Sequence, residues 1–380
     1  MNSVQILDRL IGFPTVSRES NLALIEYVRD FLAERGVEAR LYSDAAGRKA
    51  NLYASIGPSD RGGVLLSGHT DVVPVDGQNW GSNPFRLQER GARLFARGAA
   101  DMKGFLACAL RAAHRATARP LWLPLQLAFS YDEEVGCLGV RSLIDDMAHW
   151  THRPRFCIVG EPTMLRTAVG HKGKTALKAT CHGRAAHSAS PALGVNAIHM
   201  ASDLIDKVRR RQASIEHTGM RDPGYDVPYT TLHVGVIHGG TALNIVPARC
   251  EFELEIRNLP ADDPAALLAG IRADAAAIAE SIHGDPDTRI DIELMHDYPG
   301  LETPPDCEVV ELAAALTGNR DRIKVGFGSE GGLFSARLGI PTVVCGPGSI
   351  DQAHKPDEFV AIDQLQRCDA MMDSLLDRLA

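Results

Sequence analysis

Short apolar segments constrain the fold of this chain more than any other feature of its sequence. They read "VLLS", "LQLAFS", "FCIVG" and "PTVVCG", and each is bounded by glycine or a polar turn. Near-continuous apolar runs of this length are typical of strands that are buried on both faces. Helical patterns such as "NLALIEYVRDFLAERG" and "MKGFLACALRAAHRA" lie between them. Strands that alternate with helices predict an α/β fold with a mostly parallel sheet.

The pattern changes after about Lys174. A strand is followed there by a helix, two strands, a helix and a strand, and in "ARCEFELEIRN" apolar residues alternate with charged ones. Such alternation predicts a sheet with one buried and one solvated face. The βαββαβ order predicts a small ferredoxin-like α+β domain inserted into the α/β domain. We therefore predict one domain of residues 1–173 and 299–380 and an inserted domain of residues 174–298.

Charge and composition narrow the classes of function. The formal net charge of −8 provides no broad basic surface, which argues against nucleic acid as a partner. The longest apolar run, "LWLPLQLAF", is too short to cross a bilayer, and "MNSVQILDRLIGFP" lacks the cleavage-site pattern of a secretory signal. The 8 cysteines include no C-x-x-C pair, as in a reducing compartment. We expect a cytoplasmic protein that acts on a small polar molecule, with no membrane partner.

Histidines and carboxylates follow the ends of the predicted strands. Without the rest of the chain, "HTD" would be interpreted as a polar turn and "DEE" as a solvated acidic turn. Because the carboxyl ends of parallel strands share one edge of a sheet, we expect these groups to converge on one crevice. They are His69 and Asp71 after "VLLS", Glu133 and Glu134 after "LQLAFS", Glu161 after "FCIVG", His354 after "PTVVCG", and Asp101 at the start of the helix in "GAADMKG".

This set of side chains predicts a metal site. Two imidazoles with several carboxylates suit zinc, cobalt or manganese better than calcium or magnesium, which prefer oxygen ligands alone. Two divalent ions fit the charge of the site better than one. Their four positive charges would be balanced by one bridging hydroxide and by three carboxylates, those of Asp101, Glu134 and Glu161. Motifs of competing enzymes are weak: "GHKGKT" lacks the first glycine of a P-loop, and neither G-x-S-x-G nor H-E-x-x-H occurs.

The sequence resembles the dinuclear zinc metallopeptidase and deacylase family that includes acetylornithine deacetylase, succinyl-diaminopimelate desuccinylase, aminoacylase and glutamate carboxypeptidase. The matching motifs are "SGHTDVVP", "GAADMKG", "DEEVG", "GEP", "GRAAHSASPALGVNAI" and "GPGSIDQAHKPDEFV". They cover nearly the whole chain in the family's order. "GEPT" followed by "GHKG", and the closing motif, most resemble the acetylornithine deacetylase branch. Ser329 is a departure, because those enzymes usually have threonine before the glutamate of "GSEGG".

The resemblance implies two divalent metal ions per subunit, with zinc expected and cobalt as an alternative. One ion would be held by His69 and Glu161, the other by Glu134 and His354, and both by Asp101. A glutamate at the position of Glu161 accompanies deacylases and carboxypeptidases in this family, whereas aspartate is usual in its aminopeptidases. The metal ligands therefore imply hydrolysis of an amide.

Three further residues take catalytic roles by resemblance. Asp71 would hold the imidazole of His69. Glu133 would be the general base and acid, taking a proton from water and passing it to the leaving amine. His187 would reach the active site of the opposite subunit in a homodimer formed through the inserted domain, and donate to the oxyanion there. Taken alone, a histidine in this Gly- and Ser-rich loop is an ordinary solvated turn residue.

Candidates for substrate binding lie in both predicted domains. Arg257 and Asn244 are candidates for the substrate α-carboxylate, although Arg257 is also placed to pair with Glu255. Ser329 and Glu330, which are adjacent in a Gly-rich loop, are further candidates for substrate binding. Glu330 would bind a substrate ammonium, or alternatively be a carboxylate at a helix start.

The function that we expect is removal of the acetyl group from N2-acetyl-L-ornithine in arginine biosynthesis. The first alternative is a sibling deacylase, desuccinylase or carboxypeptidase with the same metal site. The second is a non-catalytic metal- or peptide-binding protein that kept the fold. Such a protein is expected to lose the free base or a ligand, but all these positions are filled here.

Overall fold

The computed structural model describes residues 1–282 and 287–380. Its strands, numbered along the chain, are β1 Ala39–Ser43, β2 Ala50–Ile56, β3 Val64–His69, β4 Gln88–Arg90, β5 Arg93–Phe95, β6 Leu125–Ser130, β7 Phe156–Pro162, β8 Thr167–His171, β9 Lys174–His182, β10 Ala186–His187, β11 Thr231–Gly239, β12 Ile245–Val246, β13 Arg249–Arg257, β14 Arg289–Tyr298, β15 Leu301–Glu302, β16 Arg322–Val325, β17 Thr342–Gly346 and β18 Phe359–Ala361. Its α-helices are α1 Ser3–Ile11, α2 Leu22–Ala33, α3 Gly104–Ala116, α4 Val140–Met147, α5 Ala197–Thr218, α6 Pro264–Ser281, α7 Glu308–Thr317, α8 Gly331–Leu338 and α9 Ile362–Leu379. Within the described residues, none of the helices has the length and apolar character of a membrane span.

The chain forms two compact units. Unit 1 consists of Met1–His171 and Leu301–Ala380, and unit 2 of Lys172–Gly300. The boundaries predicted from the sequence followed residues 173 and 298. The assignment of catalysis to the larger part, and of a lid and dimer contact to the inserted part, stays a prediction.

Unit 1 is built on a nine-stranded sheet. Its main strand order is β1-β2-β6-β3-β7-β17-β8-β15, and β16 pairs with β8. The central strands β6, β3, β7 and β17 are parallel, whereas β1, β2 and β15 pair antiparallel toward the sides. Every residue of β3 and β6 is buried, as expected for strands covered on both faces. The predicted α/β fold, with a mostly parallel central sheet flanked by helices, is confirmed.

Helix α3 is held close to the sheet of unit 1. It packs against α1 and α9, and its residues Phe105 and Leu106 belong to a core that also contains Leu66 of β3. Gly160 of β7 allows this approach, because a Cβ there would lie 2.0 Å from the Phe105 ring. The contact fixes the start of α3, which follows Asp101, against the strands that carry the other candidate ligands.

Unit 2 has a four-stranded antiparallel sheet in the order β11-β13-β9-β14. Along the chain, strand β9 is followed by α5, β11, β13, α6 and β14, which is the predicted βαββαβ order apart from the short strands β10 and β12. In β13, Cys250, Phe252, Leu254 and Ile256 are buried in a core with residues of α5 and α6. The predicted alternation of buried and solvated residues in this strand is therefore confirmed.

Candidate metal and catalytic site

The parallel strands of unit 1 bring the predicted polar side chains to one edge of the sheet. His69 is the last residue of β3, and Glu161 lies near the end of β7. Glu133 and Glu134 follow β6, and His354 follows β17. Asp101 lies in the segment Ala99–Lys103, immediately before α3, and its own backbone is not helical, with φ −123° and ψ 91°. All of these groups belong to unit 1, so the convergence results from the topology of one sheet.

Asp101 lies between the two imidazoles. Its Oδ1 is 3.1 Å from Nε2 of His69, and its Oδ2 is 3.3 Å from Nε2 of His354. Each oxygen of one carboxylate therefore faces a different histidine. This is the arrangement required of a residue that contributes to two adjacent metal positions.

A glutamate accompanies each histidine. Oε1 of Glu161 is 3.6 Å from Nε2 of His69, and Oε2 of Glu134 is 3.2 Å from Nε2 of His354. Ligand atoms of His69, Asp101 and Glu134 lie within 4.8 Å of one another, as do those of His69, Glu133 and Glu161. The cluster is a candidate metal site of nitrogen and oxygen ligands.

The electrostatics of the cluster favour bound cations. Burial and the Asp101 carboxylate raise the pKa of Glu161 well above its usual range, and the same causes raise the pKa of Glu134. Burial lowers the pKa of His69, but Glu161 and Asp101 outweigh it and raise that pKa well above its usual value. Oε1 of Glu134 is also buried without a hydrogen-bond partner, and an unsatisfied buried oxygen is costly. The donor set therefore fits divalent ions, which would neutralise these carboxylates.

The His354 side is more open than the His69 side. The side chain of His354 is 53% exposed, whereas that of His69 is 1% exposed. Hydrogen bonds with Asp101 and Glu134 raise the pKa of His354 to about 10. The two metal positions would consequently differ in their access to solvent.

Glu133 has the properties expected of a proton carrier. Burial raises its pKa to about 8, an effect opposed by the charge of His69 and reinforced by that of Glu134. The Cys137 thiol donates to its Oε1 over 3.4 Å. A carboxyl group with a pKa near neutrality can both accept and release a proton at that pH.

Asp71 contacts the His69 ring through its backbone. Nδ1 of His69 donates to the Asp71 carbonyl oxygen over 2.8 Å, whereas Oδ1 of Asp71 is 3.7 Å away. The Asp71 carboxylate accepts the Ser17 hydroxyl at 2.7 Å and the backbone N–H groups of Glu133 and Glu134 at 3.2 and 3.4 Å. The main-chain carbonyl of Asp71 therefore orients the candidate ligand His69. The Asp71 side chain orients the turn that contains Glu133 and Glu134.

Lys49 and Ser17 support the same turn and were not predicted from the sequence. Nζ of Lys49 is 2.5 Å from Oδ1 of Asp132 and 2.5 Å from the Ser17 carbonyl oxygen. Asp132 has a left-handed backbone with φ 55°, which is uncommon outside glycine. A lysine before a strand carries no distinctive spacing, so only the motif "DEE" itself signalled this part of the site.

Ser329 and Glu330 lie in the interior of unit 1. Glu330 is 1% exposed, its Oε2 accepts the Ser67 hydroxyl over 3.2 Å, and its Oε1 has no hydrogen-bond partner. Burial raises the pKa of Glu330 to about 7. It precedes α8 without making a capping hydrogen bond, and the Ser329 hydroxyl accepts from Gly331 N–H over 3.1 Å. Both residues are therefore buried, and Glu330 contacts β3 through Ser67.

The candidates in unit 2 form two groups. His187 and Asn244 are exposed and lie together, because β10 pairs with β12 and the Asn244 carbonyl accepts from Ser188 N–H over 3.1 Å. Arg257 is at the end of β13, where Nε donates to Glu255 over 3.1 Å and Nη1 to the Tyr298 hydroxyl over 3.3 Å. The Arg257–Glu255 contact considered as an alternative is thus present.

Comparisons with known proteins identify the relatives of this chain. Residues 65–378 match the sequence profile of peptidase family M20/M25/M40. A curated acetylornithine deacetylase of Myxococcus xanthus is 36% identical over 374 residues, covering 96% of this chain and 94% of that protein.

Solved structures show the same fold. An M20 family metallo-carboxypeptidase, Sso-CP2 of Sulfolobus solfataricus, matches with a TM-score of 0.79 and 20% identity over 99% of this chain and 98% of that one. Bacillus subtilis YXEP, described as a dinuclear metal-binding peptidase from the M20 family, matches with a TM-score of 0.68 and 15% identity over 99% and 97% of the two chains. At these identities the likeness concerns the fold.

Proposed function

Because this chain belongs to peptidase family M20/M25/M40, we propose that it removes the acetyl group from N2-acetyl-L-ornithine, releasing L-ornithine and acetate. It is a metal-dependent amidohydrolase by family, and the deacetylase relative supports the finer assignment. The observation that carries the proposal is the cluster at the sheet edge, in which the buried Asp101 lies 3.1 and 3.3 Å from two imidazoles. The reaction would serve arginine biosynthesis in the cytoplasm.

Two divalent ions are proposed as the cofactor, with zinc expected and cobalt as an alternative. His69 and Glu161 would hold one ion, Glu134 and His354 the other, and Asp101 both. When bound, such ions polarise an amide carbonyl and lower the pKa of water from ~15.7 towards ~7. The excess of buried carboxylates over cations in this cluster supports the assignment.

The residues of the chain then divide the work of proton transfer and orientation. Glu133 takes a proton from the attacking water and returns it to the leaving nitrogen. The Asp71 carboxylate holds the Glu133 backbone N–H, so the base stays at the edge of the sheet. In this proposal His187 donates to the oxyanion from the opposite subunit, and Arg257 and Asn244 bind the substrate α-carboxylate.

Substrate preference tests the proposed function directly. We expect kcat/KM to be higher for N-acetylornithine than for N-succinyl-diaminopimelate, N-acetylmethionine or a dipeptide. Initial rates on all four compounds, measured with the same metal-loaded preparation, decide the assignment. A preference for one of the other three would replace acetylornithine by that sibling substrate. The variant Glu330→Gln should then lower kcat/KM for acetylornithine more than for N-acetylmethionine; equal losses would reject Glu330 as the ammonium site.

Subunit mixing tests the role of His187. His187→Ala and Glu133→Gln should each be nearly inactive, because loss of one oxyanion donor typically costs ~10²–10³-fold in kcat and loss of a general base ~10²–10⁴-fold. When the two variants are dissociated and reassociated together, one site of each mixed dimer contains both native residues. We expect such dimers to regain up to about half of the wild-type activity per dimer.

Each variant reassociated alone is the control for this experiment and should stay inactive. Verified mixed dimers that regain no activity would show that His187 does not act across an interface. A wild-type chain that is monomeric while fully active would likewise refute the homodimer.

A further inference from the structure

Glu358 binds the backbone that carries Asp101. It is 1% exposed, and its Oε1 accepts the N–H groups of Ala100 and Asp101 over 2.9 and 3.1 Å. Its Oε2 accepts Gly98 N–H over 3.0 Å and Nη1 of Arg97 over 2.8 Å. One buried carboxylate therefore accepts from three backbone N–H groups and one guanidinium N–H within residues 97–101. Asp101 itself remains free to direct both its side-chain oxygens at the histidines.

Arg97 connects this segment to the loop that carries His354. Arg97 is 1% exposed, its Nη1 also lies 3.3 Å from the Lys355 carbonyl oxygen, and its Nη2 donates to Oε1 of Gln78 over 2.6 Å. Gln78 in turn donates from Nε2 to the His354 carbonyl oxygen over 3.0 Å. The backbones of Asp101 and His354 are thus joined through three side chains.

The His354 loop needs such support. His354 has a left-handed backbone with φ 61°, a conformation that costs free energy in a non-glycine residue. Its side chain is 53% exposed, so packing restrains it little. Hydrogen bonds to the carbonyl oxygens of His354 and Lys355 are therefore well placed to hold this loop in position.

We propose that Arg97, Glu358 and Gln78 form a clamp that fixes Asp101 relative to His354 and thereby sets the affinity for the second metal ion, the one assigned to Glu134 and His354. The clamp residues are positioning residues, since they act through the backbones of two ligands. The paired charges of Arg97 and Glu358 add no net charge beside the site. This inference rests on the dinuclear site of the proposed function.

The test is a titration of the metal-free chain with Co²⁺. Calorimetry measures the affinity of each bound equivalent, and visible absorption records its spectrum. Removal of groups that orient metal ligands typically lowers affinity ~10–100-fold. We expect Glu358→Gln to weaken the second equivalent by ~10–100-fold and to change its absorption spectrum, because the amide cannot accept all four donors. Gln78→Ala, which leaves the Arg97–Glu358 pair intact, should weaken the second equivalent by ~10-fold and leave the first within about twofold.

Asp373→Asn is the matched control. The Asp373 carboxylate also accepts several donors, at 3.1, 3.1 and 2.8 Å from Arg111 and Arg115, but it joins α3 to α9. The Asp373→Asn variant should bind both equivalents of Co²⁺ with wild-type affinity, even if its Tm falls. If Glu358→Gln does not fold, Gln78→Ala decides the question.

The outcomes separate the clamp from the function on which it rests. Wild type that binds two equivalents, with both folded variants within about twofold of it at each, would overturn the clamp alone. Wild type that binds fewer than two equivalents would overturn the dinuclear site and the clamp together. Weakening of the second equivalent in both variants, with the first equivalent unchanged in Gln78→Ala and both unchanged in the control, supports the clamp. Glu358→Gln is expected to weaken the first equivalent as well, because Asp101 is assigned to both ions. Equal weakening of both equivalents by Gln78→Ala would overturn the assignment of the clamp to the second ion.

Discussion

Glu133→Gln is expected to lower kcat by ~10²–10⁴-fold while both metal ions stay bound, because that is the usual contribution of a positioned general base. Glutamine is close in shape to glutamate but cannot accept the proton of the attacking water. Its backbone N–H can still donate to Asp71, and its side-chain oxygen can still accept from the Cys137 thiol, as Glu133 does. The substitution therefore removes the chemistry and leaves the local contacts.

The neighbouring residue provides the control. Glu134→Gln should lose metal, because Oε2 of Glu134 faces His354 over 3.2 Å and belongs to the proposed second site. Metal content and kcat are measured on the same preparation of each variant. Activity of Glu133→Gln within about threefold of wild type, at full metal content, would exclude Glu133 as the base. Wild type that binds metal but hydrolyses none of the substrates would favour a non-catalytic binding protein.

The residues at the sheet edge could be predicted from the sequence because strand ends are local features, and the carboxyl ends of parallel strands meet at one edge whatever the strand order. His69 and Glu161 each end an apolar run, and parallel strands bring their carboxyl ends together whatever the loops do. The same reasoning explains why both faces of β3 are buried. For these residues, a pattern of a few neighbouring positions was sufficient.

The groups that support the site could not be predicted in this way. Glu358, Lys49 and Ser17 act on backbone atoms or on residues far away in the chain, and such contacts leave no spacing pattern. "HKPDEF" was recognised as a motif, but nothing in it distinguishes a ligand from a residue that accepts backbone N–H groups. The three-dimensional position of Asp101 supplies that information.

The two Gly-rich loops show a different limit. "GSEGG" placed Glu330 in a Gly-rich loop, and the structure buries that residue against Ser67 of β3. Its depth depends on how α8 packs on the sheet, which no local pattern encodes. Likewise, the proximity of His187 to Asn244 depends on the pairing of β10 with β12, two strands too short to predict.

Asp101→Ala is expected to lose more metal than either His69→Ala or His354→Ala. Each histidine can serve one ion only, whereas the Asp101 oxygens lie 3.1 and 3.3 Å from Nε2 of the two histidines. Loss of this carboxylate would remove a ligand from both ions and leave Glu134 and Glu161 to share the remaining charge. Since the proposed ions would lower the pKa of the attacking water, kcat should fall at least as far as in Glu133→Gln.

The measurement is metal content after desalting, with Asp101→Asn as the matched control. Asparagine keeps the shape and one oxygen but loses the negative charge, so it should retain more metal than alanine and less than aspartate. The order expected for bound metal is wild type, then Asp101→Asn or either single histidine variant, then Asp101→Ala. Two equivalents retained by Asp101→Ala would reject the bridging role, because the charge and the shared ligand would then both be dispensable for binding.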